Sequence, residues 1–380
     1  MLTLIKNAHV FAPEDRGIVH LLVGAGRILW MGADLAEFGT MAAASTVDLE
    51  GRRLIPGIID GHAHVTGGGG EAGFATRIPP VPIERFILAG VTGVVGVLGT
   101  DDTTRDTRSL VAQTLSLREQ GMGAWCHTGG YHVPPVTFTG SVRDDIVFID
   151  PIIGVGELAL SDHRSSQPTL EELLRIASDV YVAGMIGAKA GIVHLHMGDG
   201  ARGLDLVRRA LETSELPARV FNPTHVNRRT SLFDEALELA RKGCTIDITA
   251  YPDAEKGDGY GAADALQRYL GSGAPAARVT LSSDGGGCLP NFDAEGVMLD
   301  WDVGNPASLT DTLRTVLNDG VDLAEVLPAF TANVADLLRL RNRGRIAAGM
   351  IADLVVLDAA HGVSDVMLAG KWRLRDGVMS

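Results

Sequence analysis

Residues 54–65 read LIPGIIDGHAHV, an apolar run that ends in two histidines one residue apart. Successive side chains of an extended strand point to opposite faces, so His62 and His64 share a face and their imidazoles can converge on one ion. A lone His-x-His is also found among ordinary core or surface histidines, so its meaning depends on the rest of the chain.

Seven further runs have the same character: VTGVVGVLG (91–99), GAWCHTGGYHV (123–133), VFIDPIIGVGELALS (147–161), GIVHLHMGD (191–199), RVFNPTHVN (219–227), CTIDITAY (244–251) and RVTLSSDGG (278–286). Between them lie stretches of helical spacing, such as SLVAQTLSLREQG, TLEELLRIASDVYVAG and SLFDEALELARKG. Eight strands alternating with helices predict an α/β fold, a closed (β/α)8 TIM-type barrel over residues 54–343. The polar residues of the runs sit at their C-terminal ends, where barrel enzymes place their chemistry. Residues 1–53 and 344–380 instead show short strands broken by Gly and Asp, without helices between them, and predict a small discontinuous β-sandwich domain built from both termini. The glycines at 67–70 predict a loop that is flexible or closely approached by other backbone.

Composition narrows the function. The chain has 380 residues, 46% of them hydrophobic, enough for a large core. A formal net charge of −14 with no basic cluster argues against nucleic acid and anionic membranes as partners. Three cysteines without paired spacing predict a reducing compartment and no disulfide framework. The N-terminal stretch lacks a signal-peptide pattern, and no uncharged apolar run reaches the roughly 18 residues of a membrane span, so the expected location is cytoplasmic.

His196, His225 and Asp284 each end a later strand. With His62 and His64 they make four histidines and an aspartate at the barrel mouth, a ligand set suited to zinc with a position left for water. Arg164 and Arg228 lie beside ligand-bearing strands of an acidic protein, and paired guanidiniums suit a substrate with two carboxylates. Cys126 and Cys244 fall inside strands and read as buried apolar residues.

This order of motifs resembles the amidohydrolase superfamily, in which His-x-His, a bridging carboxylate, two separate histidines and an aspartate mark strands 1, 4, 5, 6 and 8. Within it the chain looks most like the bacterial isoaspartyl dipeptidases, through APEDRG, GGGGEAG, GTD, YHVP, TGSV, SDHRS, HMGD, THVNR, ARKG with TIDIT, and ARVTLSSDG. The resemblance implies one or two Zn2+ ions, two favoured, on His62, His64, His196, His225 and Asp284. Asp284 is then the general base and acid for attack by a metal-activated hydroxide, and Tyr131 stabilises the oxyanion. It further implies that Arg164, Arg228, Tyr131, Glu71 and Cys288 bind a β-aspartyl dipeptide, with Glu71 on its ammonium, and that the chain forms a homo-oligomer, an octamer by resemblance.

Two departures stand out. The bridging group of that family is a carboxylated lysine, whereas here Glu157 stands at the expected distance before Ser161-Asp162-His163-Arg164, with an extra residue in Gly154-Val155-Gly156 adjusting its reach. Glu157 is the expected bridge, and Lys189 a loop residue. Cys288 replaces a serine near the substrate amine. His163 is expected to orient Arg164. The alternatives left open are another small acidic amide as substrate (an N-acyl amino acid or a cyclic amide), and a metal-free binding or scaffold protein.

Overall fold

A computed structural model describes residues 2–35, 44–251, 258–293 and 295–380. The eight expected central strands all form: β6 (Ile58–Ala63), β7 (Val91–Gly96), β8 (Gly123–Thr128), β9 (Ile152–Leu160), β10 (Val193–Met197), β11 (Phe221–Thr224), β12 (Ile246–Thr249) and β13 (Val279–Ser282). A helix follows each one: α1 (Ile83–Leu88), α2 (Thr107–Glu119), α3 (Val142–Phe148), α4 (Leu170–Ile186), α5 (Asp205–Thr213), α6 (Thr230–Arg241), α7 (Ala262–Gly271) and α8 (Ala307–Asn318). The chain is therefore a (β/α)8 barrel, as the eight runs imply.

Local chemistry sets the helix starts. Thr169 and Glu172 form a reciprocal capping box at α4, and Asp106 and Ser109 do the same at α2. The inner stripe of α4, Leu173, Ile176, Ala177, Val180 and Ala183, repeats at helical spacing and is buried against the barrel.

Parallel ladders join β6 through β11 in one six-stranded sheet, and β12 with β13 in a second. Side chains and single contacts close the two seams between them. At β11/β12, Asn222 Nδ2 donates to the Thr245 carbonyl at 2.7 Å, Thr224 Oγ1 to Asp247 at 2.7 Å, and the Thr249 N–H to Asn227 Oδ1 at 2.9 Å. At β13/β6, the Asp284 N–H donates to the His62 carbonyl at 3.2 Å, the His64 N–H to Gly285 at 2.8 Å, and Ser283 to buried Asp60.

Both termini build one nine-stranded sheet. It contains β1 (Leu2–Phe11), β2 (Asp15–Gly24), β3 (Arg27–Gly32), β4 (Ala44–Asp48), β5 (Arg53–Pro56), β16 (Leu354–Leu357), β17 (Val363–Leu368), β18 (Lys371–Arg375) and β19 (Val378–Met379). Residues 349–352, just before β16, bridge back to β3, so the sheet curls onto itself around a core that includes Ile5, Leu21, Ile28 and Leu354. A hairpin, β14 (Cys288–Phe292) with β15 (Met298–Val303), follows β13. The short helices α9 (Leu323–Val326) and α10 (Ala332–Leu337) lead back to the terminal sheet.

Phe86 of α1 is fully buried in the layer between barrel and helices. Phe86→Ala is expected to lower unfolding stability by about 3–5 kcal/mol through lost burial and the cavity left behind, read by urea denaturation.

Candidate active site

His62 sits at the end of β6 and His64 directly after it. Glu157 lies inside β9, where the ladder to β10 pairs Val155 with Val193 but Leu158 with Leu195. Three steps on β9 thus match two on β10, and this bulge absorbs the extra residue noted in the sequence and re-aims Glu157. Gly156 makes the bulge possible: its φ is +140°, and a Cβ there would lie 2.4 Å from the His194 carbonyl oxygen.

The two oxygens of Glu157 divide between two histidine pairs. Oε1 lies 3.3 Å from His64 Nε2 and 3.7 Å from His62 Nε2, and Oε2 lies 3.2 Å from His196 Nδ1 and 3.4 Å from His225 Nε2. Asp284 Oδ1 stands on the first pair, 3.1 Å from His64 Nε2 and 3.4 Å from His62 Nε2. His225 and Asp284 follow their strands with positive φ, 61° and 52°, which turns both side chains into the mouth. Behind the ligand atoms, His225 Nδ1 meets Thr249 Oγ1 at 2.7 Å, and His62 Nδ1 meets His194 Nε2 at 2.8 Å.

Burial favours the neutral form of a carboxyl, yet Glu157 and Asp284 are both held well below the usual carboxylate range, because the surrounding imidazoles outweigh desolvation. Burial likewise opposes a proton on His64, but Asp284 and Glu157 push it up to about 10. Desolvation drives His225 down to about 3. Among the described residues no lysine or arginine pairs with these two carboxylates, and His62 Nε2 and Asp284 Oδ1 are buried there without a hydrogen-bond partner. A divalent cation fits this donor set, replacing protons and using the orphaned atoms. His62, His64 and Asp284 form one group able to hold a metal, and His62, Glu157 and His225 another, with ligand atoms within 4.8 Å of one another. Cys288 enters neither group.

A narrow cleft opens over these atoms and also touches Glu71, Tyr131, Arg164, Arg228 and Cys288. The structure therefore brings every residue expected at the site to one place. Tyr131 Oη lies 2.8 Å from His196 Nδ1. Arg164 lies between the rings of Tyr131 and Phe292, at 5.4 and 5.3 Å, and reaches to 3.7 Å from Glu71 Oε1. Arg228 donates to Tyr251 Oη at 3.0 Å. The Glu71 side chain, only 8% exposed, has no hydrogen-bond partner for Oε2 among the described residues, an acceptor awaiting a donor. Burial and the neighbouring Glu71 push the Cys288 thiol up to about 12, so it lines the pocket as a neutral group.

His163 does not orient Arg164 directly: its side chain, 55% exposed, meets the Phe292 ring and lies 3.6 Å from Asp162 Oδ1. Asp162 does so, accepting from Arg164 Nε at 3.0 Å and Nη2 at 2.7 Å while its Oδ2 also meets His196 Nε2 at 3.0 Å. A charge buried next to Arg164 suits that task better than a half-solvated imidazole. Lys189 donates to the carbonyls of Ile149 and Ile152, at the start of β9 and away from the mouth. From the sequence His194 only flanks its strand without completing a ligand set, and Asn222 shows no role, although VHLH (193–196) puts His194 on the same strand face as His196.

The barrel, its mouth and this cation-ready cluster together define a class. The profile of the Amidohydrolase family matches residues 53–373, and the chain belongs to that family. It is a metal-dependent hydrolase of amide bonds. Over its full length it is 44% identical to the β-aspartyl dipeptidase of Fervidobacterium islandicum AW-1, solved in complex with β-Asp-Leu, with a TM-score of 0.95 covering 100% of this chain and 98% of that one. Imidazolonepropionase of Ruegeria sp. (strain TM1040) is 25% identical, covering 95% of this chain and 92% of the relative. N-acetylglucosamine-6-phosphate deacetylase of Pasteurella multocida, 14% identical with a TM-score of 0.66 over 99% of this chain and 100% of that one, shares the fold. Among the described residues no helix is long and apolar enough to cross a membrane.

Lys189→Met is expected to keep metal content and turnover, at a cost of about 1–3 kcal/mol for the two lost hydrogen bonds; loss of bound metal would make Lys189, not Glu157, the bridging group. Asp162 gives a pH test. Burial alone would raise its pKa, but the hydrogen bonds from His196 and Arg164 hold it well below the usual range. A depressed folded pKa stabilises above the unfolded value, roughly 4, and the gain is lost as pH falls below it. The stability gap between wild type and Asp162→Asn should therefore be full at neutral pH and shrink in acid, measured by urea denaturation at each pH.

Proposed function

We propose that this protein hydrolyses the isopeptide amide bond of β-aspartyl (isoaspartyl) dipeptides. The observation that carries the reading is its full-length similarity to a β-aspartyl dipeptidase solved with β-Asp-Leu, combined with two arginines and a buried carboxylate around one cleft. A β-aspartyl dipeptide has two carboxylates and one free ammonium. Arg164 and Arg228 supply a fork for each carboxylate, and the unpartnered Oε2 of Glu71 accepts from the ammonium.

In this reading His62, His64 and Asp284 would hold one zinc ion and His196 and His225 a second, with Glu157 the carboxylate shared between them. The ions supply Lewis acidity and lower the pKa of water toward neutrality. Asp284 takes the proton of the attacking water and passes it to the leaving amine, first base and then acid. The Tyr131 hydroxyl donates to the carbonyl oxygen as negative charge builds on it. Asp162 holds Arg164 in register with His196, so the recognition group and the cation share one anchor. The cytoplasm, where the thiols stay reduced, fits as location.

Cys288 beside Glu71 favours a second reading, in which the substrate is another small acidic amide whose amine is absent or blocked, because a thiol is a poor hydrogen-bond partner for an ammonium.

The test compares β-Asp-Leu with α-Asp-Leu, each with zinc-loaded and chelator-stripped protein. Zinc-dependent cleavage of the β isomer alone is expected; cleavage of neither by loaded protein, with turnover of an N-acyl amino acid, would shift the assignment to the second reading. Asp284→Asn should lower kcat by about 10²–10⁴, and Tyr131→Phe by about 10²–10³ with KM little changed.

A further inference from the structure

Beneath the ligand atoms a line of polar side chains crosses three strands: His62 on β6, His194 on β10 and Asn222 on β11. All three are almost fully buried, so no solvent is at hand to reverse their hydrogen bonds. The line begins at a group with a single possible role. Asn222 Nδ2 lies 2.7 Å from the Thr245 carbonyl oxygen, which can only accept. That fixes the amide orientation, so Asn222 Oδ1 faces His194 Nδ1 at 2.7 Å, and Nδ1 carries the hydrogen. In the neutral ring Nε2 is then a lone pair. His62 Nδ1, 2.8 Å away, must donate to it. A neutral His62 with its hydrogen on Nδ1 has its lone pair on Nε2, the atom turned to Glu157 and Asp284.

We infer that His194 and Asn222 are positioning residues that set the tautomer of His62, so that the backbone carbonyl of Thr245, at the start of β12, decides which nitrogen is offered to the cation. This rests on the metal-dependent reading above and adds residues that touch neither substrate nor metal. Other ligands are held differently: the Thr249 hydroxyl beside His225 can rotate to donate or accept, and His64 Nδ1 has no hydrogen-bond partner among the described residues. Without the relay, His62 is free to place its hydrogen on Nε2 and close off the ligand atom. Partners of this kind are worth about 10–100-fold in metal affinity.

The experiment titrates the metal-stripped full chain with zinc against a competing chelator. His194→Phe keeps a ring but no acceptor, and Asn222→Leu removes the group that orients His194; each is expected to weaken one zinc step by about 10–100-fold and leave the other unchanged. His194→Gln, whose side-chain carbonyl still accepts from His62 Nδ1, should recover most of the loss. Unchanged titrations for the Phe and Leu variants would overturn the inference while leaving the metal reading intact. So would equal weakening of both steps in the Phe, Leu and Gln variants, the mark of general damage to the barrel. A wild-type chain that takes up no zinc would overturn the metal reading and this inference together.

Discussion

A carboxylate with no cation beside it is costly to bury, by several kcal/mol even after its surroundings relax. Glu157 is only 1% exposed and meets imidazoles on every polar side. Much of the barrel mouth can be understood as an answer to that constraint. The bulge in β9 turns the side chain inward, Gly156 lets the backbone pass the next strand, and three strand ends deliver four histidines at the distances a shared ion requires. Replacing Glu157 by an apolar residue would remove the carboxylate that both histidine pairs share, leaving His62 and His64 to Asp284 and His196 to Asp162, so carboxylate and histidines depend on one another.

The same economy of charge governs the outer part of the cleft. Arg164 does not float as an isolated cation; its fork is occupied on one side by Asp162, and its plane lies between two aromatic rings. A guanidinium fixed in this way loses little freedom when it meets a ligand. Because Asp162 also touches His196, a disturbance at the recognition group reaches the cation-binding cluster through one side chain, without any movement of the backbone.

Much of this was legible beforehand, for a definite reason. Barrel strands are buried on both faces, so they appear as continuous apolar runs, and the residues that interrupt them at one end stand out. That is how His62, His64, His196, His225 and Asp284 could be read together, and why Glu157, deeper within its strand, required resemblance and spacing to be singled out. The residues that escaped notice act on other side chains. Asp162 in SDHR looks no different from a surface acid until Arg164 folds back on it, and Asn222 in FNPT shows its use only once β10 and β12 lie on either side. Such roles belong to tertiary neighbours, which no local pattern contains.

The seams of the barrel have a mechanical meaning. Six strands share one continuous ladder and two share another, and the joints between them are sewn largely by side chains. His62, His64, Glu157, His196 and His225 belong to the larger body, and Asp284 to the smaller. An ion gripped by both would act as a rivet through overlapping plates. The wall of the enzyme and its catalytic centre would then be completed by the same event, and an unloaded chain would open first along these two lines, where the weave is thinnest.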